Sequence, residues 1–454
     1  MSMIEELQKF RREGYCSFHM PGHNYGKGIG GVFAIDVTEL PDTDNLAHPE
    51  GMIERAQRLA AEMYGAEESF LLVNGSTVGV LSAVYGTFVR GDTVLIDRMC
   101  HQSVLHAVLL SGLHPVFLPN RYNGEAGLFA PVCPEELKKA LSEHPEAAGA
   151  VVTSPNYYGL CADIAKMSDL LHQRGLPLLV DEAHGAHFPF HPFFPKGAVL
   201  QGADAVVNSL HKTLPSPNQT AVLHIQGPRI DRERVRDSIN IFQTSSPSYV
   251  LLAYAERALE EMRENGESLF ERQIRHCRRF AERCGEQLRI VAGDDPIRLV
   301  INLRQAGADA REVYQRLYRD HRIALEAADR ENLIAIVSVG NTQADFDRLY
   351  GALMDIVEKK AMTKVTNADR KESIRQVKYR FSEQMAMEPE DAFFAPREEI
   401  ALEAAESRIC ARPVVLFPPG IMLAAPGERL TEGVLQTIDE TTGFKTLWVV
   451  KENV

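Results

Sequence analysis

Five short segments between residues 92 and 225 most constrain what this chain can fold into: "DTVLID", "GAVVTSP", "PLLVDEAHG", "DAVVNSLH" and "TAVLHI". Each is β-branched, apolar on both faces and too short for a helix, so each reads as a strand buried on both sides. From about residue 53 to 260 helical and strand-like segments alternate, beginning with the helical pattern "MIERAQRLAAEMYG" (52–65) that precedes them. Doubly buried strands separated by helices imply an α/β layered domain with a mainly parallel central sheet. Ligands of such sheets gather at the carboxyl ends of the strands. Polar residues concentrate at those ends here, in "SPNYYG" (154–159), "DEAHGAH" (181–187) and "SLHKT" (209–213).

Two helical patterns, 247–264 and 267–288, are expected to lead out of this domain. "PIRLVINLR", "LIAIVSV" and "QADFDRLYGALMDIVEKK" then predict a smaller α/β unit over 290–362, and the charged run "KKAMTKVTNADRKESIRQ" reads as a linker or an exposed helix start. In "FPPGIMLAAPGE" (417–428) prolines and glycines predict a shaped loop and no regular element. The expected domains are an arm over 1–50, a large domain over 51–289, the small unit over 290–362 and a terminal domain over 363–454. No internal repeat or low-complexity tract is evident. A formal net charge of -13 over 454 residues argues against nucleic acid or anionic lipid as partner and favours cationic small molecules. With no signal peptide and no apolar run near membrane-span length, a cytoplasmic protein is expected. Seven scattered cysteines without CxxC spacing predict reduced thiols.

Lys212 ends the apolar run "ADAVVNSL" with Ser209, His211 and Thr213 around it. A lone lysine is ordinarily a solvated surface residue. A partly desolvated amine near other cations, however, has a lowered pKa and can form a Schiff base with an aldehyde, and the adjacent hydroxyls and imidazole suit a phosphate. The remaining parts of a pyridoxal phosphate site are also present. Asp181 ends the strand "PLLVD", where a carboxylate could keep a pyridine nitrogen protonated. Gly75, Ser76 and Thr77 form a small-residue turn that opens a helix, where backbone N–H groups bind phosphate. His101 in "DRMCHQSVLHA" could cover the cofactor face. A metal site built from Asp181, His184 and His187, with His19 and His23 to spare, is the competing reading, but no HExxH helix is present. The "DEAH" box lacks a Walker A loop, and no GxSxG elbow marks a serine hydrolase.

Together with "FHMPGHNYG", "DVTELPDTDNLAHPEG", "NGSTVG", "DRMCHQS", "TSPNYYGLCADI", "VDEAHGAHF", "SLHKTL", "FQTSSPSY" and "FPPGIMLAAPGE", these residues make the chain resemble the ornithine/lysine/arginine decarboxylase family over nearly its full length. The resemblance implies the aminotransferase-like, fold type I architecture with smaller α/β C-terminal domains, and pyridoxal 5'-phosphate as cofactor. It makes Lys212 the Schiff-base lysine, Asp181 the partner of the pyridine nitrogen, and His101 the ring stacked on the cofactor. Ser76, Thr77, Ser209 and His211 would hold the phosphate beside Gly75, and His184 would lie near the reacting centre. Thr244 and Ser245 would reach the phosphate from the neighbouring subunit, which implies a homodimer with shared active sites. Ser216, Pro217 and Asn218 depart from the more apolar run of many relatives, and Phe417 replaces a commoner tyrosine. No receiver-like wing domain is expected, so the chain is similar to the short form, without acid-triggered decamers.

The implied reaction is decarboxylation of a basic L-amino acid in polyamine metabolism, arginine first, then lysine or ornithine. A basic side chain needs a carboxylate at a fixed distance, for which Glu428 and Asp44 are candidates, with Glu39 and Asp42 beside them. Transamination or oxidative deamination of the same substrate, and a non-catalytic paralogue that binds basic amino acids, are the alternatives.

Overall fold

A computed structural model describes residues 1–13, 20–21, 23–26, 30–285, 288–362 and 379–452. His19 and most of the charged run after the Gln343–Met362 helix lie outside the described residues. The chain groups into two compact units that interleave along the sequence. The first holds Met1–Val89, Ala148–Ser154 and Asp163–Phe270, and the second holds Arg90–Ala147, Pro155–Ala162 and Glu271–Val454.

In the first unit the strands run Glu68–Leu72, Ala221–Ile225, Ala205–Ser209, Leu178–Asp181, Gly149–Thr153 across the sheet. The last three are mutually parallel, with Thr153 opposite Asp181 and Asp181 opposite Val207. Ala221–Ile225 pairs antiparallel with both neighbours, and Ala221 faces Ser209 on one side and Leu72 on the other. This register has a direct consequence. The ends of four strands and the start of the fifth fall on one edge, so Asn74, Asp181 and Ser209 leave the sheet there. The strand interiors are buried throughout, as their apolar sequence requires.

Helix Gly75–Thr87 lies close against this sheet because Gly79 has no side chain: a Cβ there would stand 2.7 Å from Val207 Cγ1 and 2.8 Å from Leu72 Cδ1. The two helices expected over 247–288 are one helix, Tyr249–Cys284. Gly266, which looks like a break in the sequence, is a packing contact in the structure: a Cβ there would come within 3.0 Å of Phe190 Cβ.

The second unit holds the parallel strands Thr93–Asp97 and His114–Leu118, with helix Gln102–Ser111 between them in sequence. A four-stranded antiparallel sheet carries Arg289–Val291, Arg298–Asn302, Asn332–Ile336 and Ala327–Ala328 in that spatial order. The loop expected over 417–428 is in part a strand. Ile421–Ala424 pairs with Val414–Leu416, and the turns are confined to residues 417–420 and 426–427. The apolar run "IMLA" is buried along its whole length, so core burial overrides the flanking turn residues.

Candidate active site

Lys212 lies on the short helix Leu210–Thr213 that follows the Ala205–Ser209 strand, and His184 lies in the turn after Leu178–Asp181. The register of these two strands brings their side chains together, with Lys212 Nζ 3.2 Å from His184 Nε2. Both residues are half-buried. Asp181 is buried, and its Oδ1 accepts from the Ala183 N–H at 3.1 Å.

Opposite this pair, helix Gly75–Thr87 begins without a side-chain cap. Its N-cap residue, Asn74, uses Oδ1 to accept from the Thr244 N–H at 3.0 Å instead. Gly75 has φ +77°, with open space where a Cβ would stand, and its N–H donates to the Gln219 carbonyl at 2.7 Å. The polar turn after the lysine therefore closes onto the start of this helix. Ser216 and Thr220 share a 2.7 Å hydrogen bond, and Thr220 Oγ1 donates to the Pro217 carbonyl. Ser209 Oγ donates to Ser76 Oγ at 2.7 Å. Thr77 is exposed, and Thr213 Oγ1 is buried with no hydrogen-bond partner among the described residues.

An uncapped helix start lined by hydroxyls, an amine and a buried carboxylate at adjacent strand ends form a donor set that fits pyridoxal phosphate. His211 Nδ1 donates to the Thr220 carbonyl at 3.0 Å, and burial lowers its pKa, with the Lys212 charge acting in the same direction. Thr244 and Ser245 are exposed, and Thr244 is tied to Asn74 of its own chain.

The other residues named from the sequence have the following partners in the structure. His101 caps helix Gln102–Ser111, its Nδ1 accepting from the Ser103 N–H at 3.2 Å. Asp44, read as a substrate carboxylate, accepts four backbone N–H bonds, from Asn45, Glu50, Gly51 and Ile53. Burial pushes its carboxyl up, but these four donors outweigh it and hold the pKa below the usual value. Glu428 is 2% exposed and has both oxygens on Arg98, at 3.0 and 2.7 Å, with the Ala425 N–H on Oε2 as well. His23 bonds Asp36 at 3.2 Å, and His187 is enclosed by Phe188, Phe194 and Phe270. Among the described residues, no three or more His, Cys, Asp or Glu side chains converge as a metal site.

Sequence reasoning missed Glu182. Burial raises its pKa to about 8, opposed by hydrogen bonds from the Ala198 N–H and the Asn208 side chain. A carboxyl whose folded pKa lies above its unfolded one contributes full stability below the unfolded pKa, and loses it as pH rises toward the folded value. Glu182→Gln should therefore gain on the wild type between pH 5 and 8, by up to about 1.4 kcal/mol per pH unit. Denaturant melts at pH 5.5 and 8.5 check this, and a difference independent of pH contradicts it.

A lysine at a strand end beside an uncapped helix start, on an α/β sheet, fits the class of fold type I pyridoxal phosphate enzymes. Comparison with known proteins narrows this. The Orn/Lys/Arg decarboxylase major domain matches residues 2–293, and the C-terminal domain of the same enzymes matches residues 372–444. The chain belongs to the Orn/Lys/Arg decarboxylase family. It is 32% identical to an arginine decarboxylase of Bacillus subtilis, over 94% of this chain and 90% of that protein. It is 31% identical to an arginine decarboxylase of Halalkalibacterium halodurans, over 96% of this chain and 94% of that one. The crystal structure of the Francisella novicida lysine decarboxylase LdcF shares the fold, with a TM-score of 0.81 at 20% identity over 99% of this chain and 81% of that one. Family and fold imply pyridoxal phosphate as the cofactor of an amino acid decarboxylase. No helix among the described residues is long and apolar enough to cross a membrane.

Proposed function

We propose that this chain decarboxylates a basic L-amino acid, arginine ahead of lysine or ornithine, to the amine and CO2. It would do so in polyamine metabolism, as a cytoplasmic homodimer with shared active sites. The observation that carries the reading is the 3.2 Å approach of Lys212 Nζ to His184 Nε2 at the strand ends beside the uncapped Gly75–Thr87 helix. The substrate preference follows the arginine decarboxylases at 31–32% identity. Pyridoxal phosphate, when bound, supplies the sink for the electron pair left behind by CO2.

In this reading Lys212 holds the cofactor until the substrate amine takes its place. Ser76, Thr77, Ser209 and His211 hold the phosphate, with Gly75 shaping the turn. Asp181 keeps the pyridine nitrogen protonated, and His101 stacks on the ring. Thr244 and Ser245 reach the phosphate held by the neighbouring subunit. Lys212 or His184 returns the proton to Cα. Asp44 accepts from its own loop and Glu428 is paired with buried Arg98, which leaves Glu39 or Asp42 to receive the substrate's basic head group.

Asp181→Ala should lower kcat on the order of 100-fold or more while retaining most of the cofactor. Steady-state kinetics alongside cofactor content measure both. The reading as a whole is tested by supplying arginine, lysine and ornithine separately and measuring CO2, amine and keto acid. Amine with CO2 from one of the three supports it, and keto acid without CO2 moves the chain to another pyridoxal chemistry.

A further inference from the structure

One buried carboxyl joins the two strand ends that carry Lys212 and His184. Glu182 follows Asp181 directly and is 2% exposed. Its N–H donates to the Val207 carbonyl at 3.0 Å, and its Oε1 accepts from the Ala198 N–H at 2.7 Å. Its Oε2 and its own carbonyl both accept from Asn208 Nδ2, at 3.1 and 3.0 Å. Asn208 is fully buried on the strand that leads to Ser209 and Lys212. The carbonyl of Glu182 also accepts from the Gly185 N–H at 2.8 Å, closing the turn that holds His184. The clamp leaves no room for a side chain at residue 185, where a Cβ would stand 2.6 Å from Glu182 Cγ.

We propose that Glu182 is a positioning residue: by gripping Asn208 through both its carboxyl and its carbonyl, it sets the spacing of the two strand ends and with it the Lys212–His184 approach. The inference rests on the reading of Lys212 as the cofactor lysine. Glu182 touches neither of these side chains in the contacts above, so it acts through the backbone of the two turns. A displacement well under 1 Å at Lys212 suffices to change its interaction with His184, because a hydrogen bond weakens steeply with distance and angle.

The test uses the cofactor-loaded enzyme with Glu182→Ala, Asn208→Ala and the double variant. The readouts are the pH titration of the visible absorbance of the bound cofactor, and kcat and KM. Each single variant is expected to move the titration midpoint by about one pH unit and to lower kcat on the order of 10- to 100-fold, with KM changed little. The double variant is expected to do no more than Asn208→Ala alone, since Glu182→Ala removes the carboxyl grip and Asn208→Ala already removes both the carboxyl and the carbonyl grip. Single variants with the wild-type midpoint and kcat and only a lower melting temperature overturn the proposal, as do single effects that add in the double. Should Glu182→Ala fail to fold, the midpoint of Asn208→Ala decides alone. A Lys212→Ala control separates the two levels. Turnover surviving in that control removes the functional reading itself, whereas an inactive control beside unaffected clamp variants removes only this inference.

Discussion

Lys212→Ala is expected to abolish turnover, with a loss of roughly 10^4-fold or more, and to leave the folded protein without the visible band of lysine-bound cofactor. The side chain is half-buried at the end of a four-residue helix, so its removal leaves no large cavity, and stability should change by about 1 kcal/mol or less. This separation is informative because it distinguishes a chemical role from a structural one. His184 Nε2 would lose the amine now 3.2 Å away, and the hydroxyls of Ser76 and Ser209 would remain linked as before. Cofactor content, absorbance and melting temperature measured on one preparation decide the matter. A variant that still turns over, with cofactor bound, would place the essential amine elsewhere.

Glu428→Ala should act in the opposite way, costing stability first. Its partner Arg98 is almost fully buried, and the guanidinium also donates to the carbonyls of Met422 and Leu423 at 2.8 and 3.3 Å. It packs over the rings of Phe117 and Phe381, with centroids at 5.0 and 5.4 Å. Burial raises the pKa of Glu428, and the Arg98 charge opposes that shift. Removing the carboxylate strands a cation in a site that cannot solvate it, at a cost of about 3–5 kcal/mol. The double variant Arg98→Met/Glu428→Leu, which removes both charges, should recover much of this loss. If Glu428 instead read the substrate, the single variant would keep its melting temperature and raise KM by a factor on the order of 10 or more for the basic amino acid alone. Thermal denaturation and substrate kinetics together separate these outcomes.

Much of the candidate site could be read from the sequence because its signals are local. The strands ending at Asp181 and Ser209 are short apolar runs, and the residues just past them inherit the sheet edge by position alone. The small-residue turn at Gly75–Thr77 likewise announces a helix start. Signals without a local period were misread. Gly266 looks like a break between helices until Phe190 is placed against it, and "IMLA" looks like part of a loop until the Val414–Leu416 strand pairs with it.

What the sequence alone determined is the set of strand ends and the chemical groups they carry, because apolar runs and turn residues act over a few neighbours and fix which side chains emerge at one edge. What only the tertiary structure decided is the partner of each buried charge. Arg98 and Glu428 lie 330 residues apart, and Glu182 meets Asn208 across 26. No pattern within either segment specifies those pairings; they follow from strand register and from the requirement that a buried carboxyl find donors wherever the packed chain supplies them. For that reason Asp44 and Glu428 read as free carboxylates in the sequence and serve as loop and core anchors in the fold.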